Sequence, residues 1–166
     1  TANNVFAHVD DLGGILDGVR ALLSADGIFV FEVSYLLDVV DNLLFDTIYH
    51  EHLSYHTVRP LISFFDRHGF ELIEAVRVPT HGGSLRGIAQ LKNGPRHRGE
   101  SIARALDEEA ARGLHSIGTY EQLATRIDAL GAEFRALLDG LKRRGKKIAG
   151  YGAPAKATTL MYHFGI

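Results

Sequence analysis

The spacing of apolar residues divides the first part of the chain into a helix, a strand and a second helix. Apolar side chains recur at helical spacing between Asp10 and Leu23, which predicts an amphipathic helix with Asp10 or Asp11 as its N-cap. Residues 28–33 are apolar except for Glu32, as is typical of a strand buried on both faces of a parallel sheet. Residues 35–44 are again apolar and predict a short helix.

The middle of the chain predicts one helix and two strands. Apolar residues share one face of a helix that Thr57 can cap and that ends at Gly69. Residues 70–78 and 85–91 predict two strands. Residues 79–84, between these strands, contain paired glycines and predict a turn, so the two strands could form an antiparallel hairpin.

The last part of the chain predicts long helices and a further strand. Residues 93–99 are polar and basic, contain glycine and proline, and are the best candidate for a linker. Two helices are predicted after them, over residues 102–114 and 119–144, and the second has a cationic end that suits the helix macrodipole. Residues 146–152 predict a strand that runs into a glycine turn, and a helix resumes at Ala155.

Composition and charge exclude several classes of function. A length of 166 residues, with 46% hydrophobic and 23% charged residues, fits one compact domain or one lobe with part of a second. The formal net charge of -2 gives no electrostatic footprint for nucleic acid or membrane binding. The absence of cysteine excludes a disulfide framework and thiolate metal sites. No membrane span or signal peptide is visible, so the default compartment is the cytoplasm.

Both ends of the sequence suggest part of a longer protein. The chain opens at Thr1 without an initiator methionine, on residues that look like the end of a buried strand and its loop. It closes on an apolar, helix-compatible segment with no stop signal before Gly165. We therefore expect a fragment whose exposed sheet edge favours a homo-oligomer or a swapped dimer.

The strongest candidate for chemistry is residues 49–55, where two imidazoles, one carboxylate and two phenols lie together. A histidine beside a carboxylate or a phenol can move protons near neutral pH. One histidine would act as acid or base, while Glu51 or Tyr49 orients it. An extended chain places His50 and His52 on the side opposite Glu51, but a loop can break that alternation. The alternative is a surface loop with structural hydrogen bonds.

A metal site is a second interpretation of the histidines. His50, His52, His56 and His81 could supply imidazole ligands. Their spacing is not that of a helical zinc site, and no second carboxylate lies nearby in the sequence. A histidine-ligated metallohydrolase is therefore the more distant alternative.

Three further features could bind a ligand. His8 follows a predicted strand, at the end where open α/β sheets bind ligands, although a lone loop histidine is the plainer interpretation. In residues 150–156, a glycine turn and a helix N-terminus with Lys156 could bind an anion, or could simply allow tight packing. Residues 81–86 form either a hairpin turn or a backbone cradle with Arg86 as an anion clamp.

Four motifs occur in the order that one known family shows. They are Asn-Val-Phe-Ala-His-Val (4–9), Phe-Asp-Thr-Ile-Tyr-His-Glu-His-Leu-Ser-Tyr (45–55), Thr-His-Gly-Gly-Ser-Leu-Arg (80–86) and Gly-Tyr-Gly-Ala-Pro-Ala-Lys (150–156). With them the chain resembles the S-adenosylmethionine-dependent sugar C-methyltransferases, which act on nucleotide-linked keto-deoxy sugars. The resemblance covers essentially the whole chain.

The resemblance implies an α/β fold. It would be a partial Rossmann-like class I methyltransferase sheet with a C-terminal antiparallel hairpin, followed by helices and the start of a second α/β domain. Residues 1–93 would form the second half of the methyltransferase domain, and residues 94–166 the linker helices and the start of the sugar-nucleotide-binding domain. The family's zinc-binding cysteines, its glycine-rich loop for S-adenosylmethionine and its ribose-binding acid are absent from this sequence. Residues 157–159 are Ala-Thr-Thr, where the family often has Gly-Asn-Thr.

The resemblance also implies a reaction and a set of site residues. A methyl group would pass from S-adenosylmethionine to the carbon beside the ketone of a nucleotide-linked 4-keto-deoxy sugar. His52 would be the base that forms the enolate, and Glu51 and Tyr49 would orient groups around it. His8 would hydrogen-bond the substrate or relay a proton. Six further residues are expected to bind the substrate: Asn4, His81, Arg86, Gly152, Ala153 and Lys156.

Two outcomes remain open for the isolated chain. Without the donor loop, we expect it to be weakly active or inactive alone, even where the parent protein is active. The alternative is a non-catalytic sugar-nucleotide-binding or structural fragment. A cavity that gathers His52 and His8 would favour catalysis, and side chains splayed into solvent would favour the alternative.

Overall fold

The computed structural model describes all 166 residues and contains one four-stranded sheet and six α-helices. The strands are β1 (Ala2–Asn3), β2 (Ile28–Ser34), β3 (Phe70–Val78) and β4 (Ser84–Leu91). The helices are α1 (Leu12–Leu22), α2 (Leu36–Asn42), α3 (Val58–Arg67), α4 (Glu100–Ala111), α5 (Ile117–Arg143) and α6 (Ala155–Phe164). The chain is therefore a mixed α/β protein.

The sheet is mixed in direction, with strand order β1-β2-β4-β3. β1 runs parallel to β2, whereas β4 pairs antiparallel with both β2 and β3. The apolar run of β2 thus has a parallel neighbour on one side only. On the other side Phe31 lies opposite Gly87, where a Cβ atom would overlap the phenyl ring. The glycine lets the aromatic side chain pack across the sheet.

An aromatic cluster fills the core next to the sheet. Phe6, Phe31 and Phe65 are fully buried, and their ring centroids lie 5.2 to 6.1 Å apart. Phe6 begins a single 3₁₀ turn that follows β1. Because its ring is anchored among the others, the next residues, Ala7 and His8, are held at the end of the sheet.

Most helices begin and end close to the predicted positions, but the cap of α3 differs. Asp11 caps α1 as expected, with its Oδ1 accepting from the Gly14 backbone N–H at 2.9 Å. Thr57 occupies the N-cap position of α3, yet its side chain makes no capping bond. The buried carboxylate of Glu109 in α4 accepts from the Val58 backbone N–H at 2.5 Å instead. A residue from a distant part of the sequence thus caps this helix.

The strand predicted over residues 146–152 is wrong. These residues form no helix or strand and pair with none of the four strands of the sheet. A strand needs a partner for its backbone N–H and C=O groups, and none of the residues described here provides one. Ile148 and Tyr151 are consequently exposed.

None of the six helices has both the length and the apolar character needed to cross a bilayer.

His56 is a buried histidine that lies outside the predicted strands and helices. It forms an isolated bridge with Tyr35, and its ring centroid lies 5.8 Å from that of Phe6. Its Nε2 atom is buried without a hydrogen-bond partner. Burial lowers the pKa of His56 from about 6.5 to about 4, and a hydrogen bond to the Phe6 backbone offsets only part of this shift.

We expect His56 to make folding stability fall in acid. Above about pH 6.5 the side chain is neutral in both the folded and the unfolded chain and has no effect. Between about pH 6.5 and 4 only the unfolded chain takes up the proton, so the free energy of unfolding falls by about 1.4 kcal/mol per pH unit, to a total of about 3 kcal/mol. Urea unfolding of the purified protein across this range should show that loss.

A matched pair of variants isolates the contribution of His56. His56→Asn keeps a side-chain donor but cannot titrate. The slope of its unfolding free energy against pH should therefore be smaller than that of wild type by about 1.4 kcal/mol per pH unit. His115→Asn makes the same change at an exposed position and should leave the slope unchanged. An unchanged slope in His56→Asn would contradict the assignment.

Candidate functional site

A cavity of about 250 Å³ lies where β1 and β2 end. These strands run parallel, so their carboxyl ends meet at one edge of the sheet, which is where open α/β sheets place ligands. Asn4 follows β1 and Ser34 ends β2. Ten residues line the cavity: Asn4, Ala7, His8, Val33, Ser34, Thr47, Tyr49, His52, His81 and Lys156. Six of the ten residues predicted for the site are thereby brought together.

Backbone hydrogen bonds hold the loop of residues 49–55 beside His8. The N–H groups of Leu53 and Ser54 both donate to the Ala7 carbonyl, at 3.0 and 3.3 Å. Because Ala7 directly precedes His8, this contact brings His52 next to it, and the two imidazole centroids lie 4.8 Å apart. The Tyr49 ring lies 4.6 Å from that of His52. The cavity therefore contains two imidazoles and a phenol, and the His52 ring contacts both of the others.

The loop backbone determines which nitrogen of His52 is free. Nδ1 of His52 lies 2.6 Å from the Thr47 carbonyl oxygen. A carbonyl oxygen only accepts hydrogen bonds, so Nδ1 carries the proton and donates it. In the neutral ring Nε2 then bears the lone pair that can take a proton. Tyr55 donates to the same carbonyl at 2.8 Å, and burial raises the pKa of Tyr55, so its hydroxyl stays protonated.

Asn4 and His81 face each other at the rim of the cavity. The Asn4 Nδ2 atom lies 3.3 Å from His81 Nε2. Both residues are exposed and have left-handed backbone conformations, with φ of 54° and 53°. They come from distant parts of the sequence, one after β1 and one in the turn between β3 and β4. The rim is thus built by the contact of two distant segments.

Lys156 reaches the cavity from the first turn of α6. This helix packs on the 3₁₀ turn Phe45–Thr47, where the rings of Phe45 and Phe164 have centroids 5.1 Å apart. Lys156 forms no ion pair, and no carboxylate lines the cavity. The cavity therefore favours a neutral or anionic group over a cation.

Four of the predicted site residues do not line this cavity. Glu51 is exposed and makes no hydrogen bond with His52, whose Nδ1 is occupied by the Thr47 carbonyl. Arg86 donates to the Glu32 carboxylate from two nitrogens, at 2.9 and 3.1 Å. Gly152 and Ala153 are exposed in the segment before α6. Their roles in binding or catalysis stay predictions.

The histidines do not converge on a metal ion. No group of three or more His, Cys, Asp or Glu side chains is arranged to hold one. His56 is buried against Phe6, and His50 is exposed and lies outside the cavity. The arrangement gives no support to the metallohydrolase alternative.

Sequence reasoning missed four residues that line the cavity: Ala7, Val33, Ser34 and Thr47. Ser34 could have been found, because it directly follows the predicted strand over residues 28–33, at the ligand-binding end. Thr47 could not, because it acts through its carbonyl oxygen and any residue type supplies that atom.

Comparison with known proteins gives two matches. The C-methyltransferase C-terminal domain family matches residues 79–166, which is more than half of the chain. C-methyltransferase NovU of Streptomyces niveus is 37% identical over 161 residues, an alignment that covers 97% of this chain and 38% of NovU. The chain thus spans well under half the length of that relative.

Proposed function

The chain belongs to the C-methyltransferase family. We propose that a base in its cavity removes a proton from the carbon beside the ketone of a nucleotide-linked keto-deoxy sugar, so that this carbon can be methylated. One observation carries the proposal. His52 lines the cavity, and its Nδ1–H is committed to the Thr47 carbonyl, which leaves Nε2 as the basic nitrogen. A general base needs a free lone pair of this kind, on a group whose pKa is not far from the working pH. It must also lie in a site that positions the substrate.

The proposed step is enolate formation. Nε2 of His52 takes the proton, the electrons of the C–H bond form a carbon–carbon double bond, and the carbonyl electrons move onto the ketone oxygen. The negative charge on that oxygen needs nearby donors or cations. Lys156, His8 and Tyr49 line the same cavity, and no carboxylate opposes the charge. We propose that one or more of these three groups stabilises the enolate.

S-adenosylmethionine is the methyl donor that we expect from the family, and when bound it supplies an electrophilic methyl group. The cavity does not fit this donor by itself, because it has no carboxylate for the ribose hydroxyls or for the positive charge of the sulfonium. We therefore assign to this chain the proton-abstracting side of the reaction and derive no step at the donor.

We propose that the sheet is the second half of a Rossmann-like class I methyltransferase sheet. The parallel pair β1 and β2, joined through α1, is the βαβ unit that such a sheet contains. The antiparallel β3 and β4, joined by the turn at residues 79–83, would be its closing hairpin. Residues 94–166 would then lead into the domain that helps hold the sugar nucleotide.

Proton exchange tests the function directly. The natural full-length protein that carries this sequence is incubated in deuterated water with a thymidine diphosphate-linked 4-keto-6-deoxyhexose, without methyl donor. We expect deuterium at the carbon beside the ketone, detected by mass spectrometry and NMR. After S-adenosylmethionine is added, a methyl group should appear at the same carbon.

The alternatives predict different results in this assay. A non-catalytic sugar-nucleotide-binding protein would bind the sugar nucleotide, as measured by calorimetry, and would exchange no proton. Exchange at a carbon remote from the ketone would contradict enolate formation. Hydrolysis of the sugar nucleotide without proton exchange would favour the metallohydrolase alternative and oppose the assignment of His52.

A further inference from the structure

Asn4 and His81, the two residues at the rim, form one wall of the cavity. Asn4 and His81 both have left-handed backbone conformations, which are uncommon outside glycine and tend to occur where the surrounding structure enforces them. Their side chains contact each other at 3.3 Å. Neither residue lies within a β-strand, so other groups must fix the position of this pair.

Glu32 of β2 is bonded to both segments that carry the pair. Its backbone carbonyl accepts from the Asn4 N–H at 2.8 Å. Its carboxylate Oε1 accepts from the Thr80 hydroxyl at 2.5 Å, and Thr80 directly precedes His81. Glu32 is only 6% exposed, although it sits in a strand whose other buried residues are apolar. Glu32 thus fixes the backbone at Asn4 and the residue that precedes His81.

The second carboxylate oxygen of Glu32 is held by Arg86. Glu32 and Arg86 are cross-strand partners in the β2–β4 register, and both Nε and one terminal nitrogen of Arg86 donate to Oε2. The hydrogen bond from Thr80, together with Arg86, holds the pKa of Glu32 below its usual range. The carboxylate is therefore ionised at neutral pH, and its bond to the Thr80 hydroxyl is charge-assisted.

The turn that carries His81 is also fixed on its outer side. Asn42 of α2 donates to the Gly82 carbonyl at 3.2 Å. Gly83 has φ of 136°, and a Cβ atom there would overlap the carboxylate of Asp38. The turn is thus pressed between α2 and Glu32, and its position depends on contacts from both sides.

We propose that Glu32 is a positioning residue that holds the Asn4–His81 wall against the substrate. This inference rests on the proposed function for the identity of that substrate. An amide nitrogen only donates, so Asn4 Nδ2–H donates to His81 Nε2, and His81 carries its proton on Nδ1. The wall then offers one acceptor, Asn4 Oδ1, and one donor, His81 Nδ1–H. A sugar hydroxyl, which both donates and accepts, is the chemical group that complements it.

The test separates positioning from chemistry. In the natural full-length protein, Glu32→Gln and Thr80→Val should each raise KM for the sugar nucleotide by about tenfold or more, because loss of orientation weakens productive binding. The rate of proton exchange at saturating substrate should change by less than about threefold, because His52 and the Thr47 carbonyl are untouched. Thr80→Ser keeps the hydroxyl, so its KM should equal that of wild type.

An exposed carboxylate of β3 provides the control. Glu74→Gln makes the same neutralisation in β3, at an exposed carboxylate without a partner, and should leave KM unchanged. A KM within twofold of wild type in both Glu32→Gln and Thr80→Val would overturn the inference, as would failure of Thr80→Ser to restore KM. If wild type exchanges no proton, the proposed function fails. The dissociation constant of the sugar nucleotide, measured without turnover, then tests Glu32 by the same comparison.

Discussion

Replacement of His52 by glutamine is expected to slow proton exchange from the sugar ketone by about 10²- to 10⁴-fold, the range that a positioned general base contributes. The amide nitrogen of glutamine can occupy the position of Nε2 but cannot accept a proton at neutral pH. Methyl transfer should fall in parallel, because it depends on the same enolate. Single-turnover exchange into deuterated water, with saturating sugar nucleotide, measures the effect on the chemical step.

A second substitution at this position distinguishes the base from its support. The side-chain amide of His52→Asn lies near the position of Nδ1 and can still donate to the Thr47 carbonyl, so the loop should keep its conformation. Its exchange rate should nevertheless be as low as that of His52→Gln. In His52→Ala, added imidazole should recover part of the activity by occupying the vacated space.

His50 supplies the matched control. It lies two positions before His52, is exposed and does not line the cavity. His50→Gln should therefore exchange protons within about twofold of the wild-type rate. Equal losses in His50→Gln and His52→Gln would show that the loop, and not the His52 imidazole, is what the reaction requires.

Replacement of Glu109 by alanine is expected to cost about 2–6 kcal/mol of unfolding free energy, which is a large share of the stability of a small domain. The fully buried carboxylate accepts from the Tyr35 hydroxyl at 2.9 Å and from the backbone N–H groups of Val58 and Arg59. Alanine would leave buried donors without acceptors, and each costs about 1–3 kcal/mol. Urea unfolding of the purified protein, followed by far-UV circular dichroism, measures the loss.

Two further variants test the explanation. Glu109→Gln keeps a carbonyl oxygen as an acceptor and should lose less stability than alanine. Glu108→Ala removes the neighbouring, exposed carboxylate and should change stability by less than about 0.5 kcal/mol. A loss in Glu109→Ala no larger than that in Glu108→Ala would contradict the role of this carboxylate.

The sequence predicted the elements well where the periodicity of apolar residues reflected burial within the chain. β3 spans residues 70–78 as predicted, and β4 begins one residue before the predicted 85–91. The prediction failed at residues 146–152, because an apolar run next to glycine does not reveal whether a strand partner exists. Glu109 gave a signal that was not used: it lies seven positions after Ile102, on the same buried face of α4.

The candidate site was predictable where it depended on side-chain chemistry and unpredictable where it depended on the backbone. The density of titratable groups singled out residues 49–55 as the site, whereas the choice of His52 as the base came from the family resemblance. The strand-end position made His8 a candidate. The sequence could not show that the Thr47 carbonyl, and not Glu51, bonds to His52. Nor could it show that Arg86 is engaged by Glu32, because that pairing depends on the register of β2 and β4.

The Glu109 cap also restricts how this protein can be recombined with its relatives. Glu109 lies after the linker at residues 93–99, whereas Tyr35 and Val58 lie before it. A chimaera joined at the predicted boundary between residues 93 and 94 would take the carboxylate from one parent and its donors from the other. A crossover placed after α4 would keep all three residues from a single parent. The linker that the sequence suggests as a domain boundary is thus not a position at which the N-terminal and C-terminal parts can be exchanged between relatives.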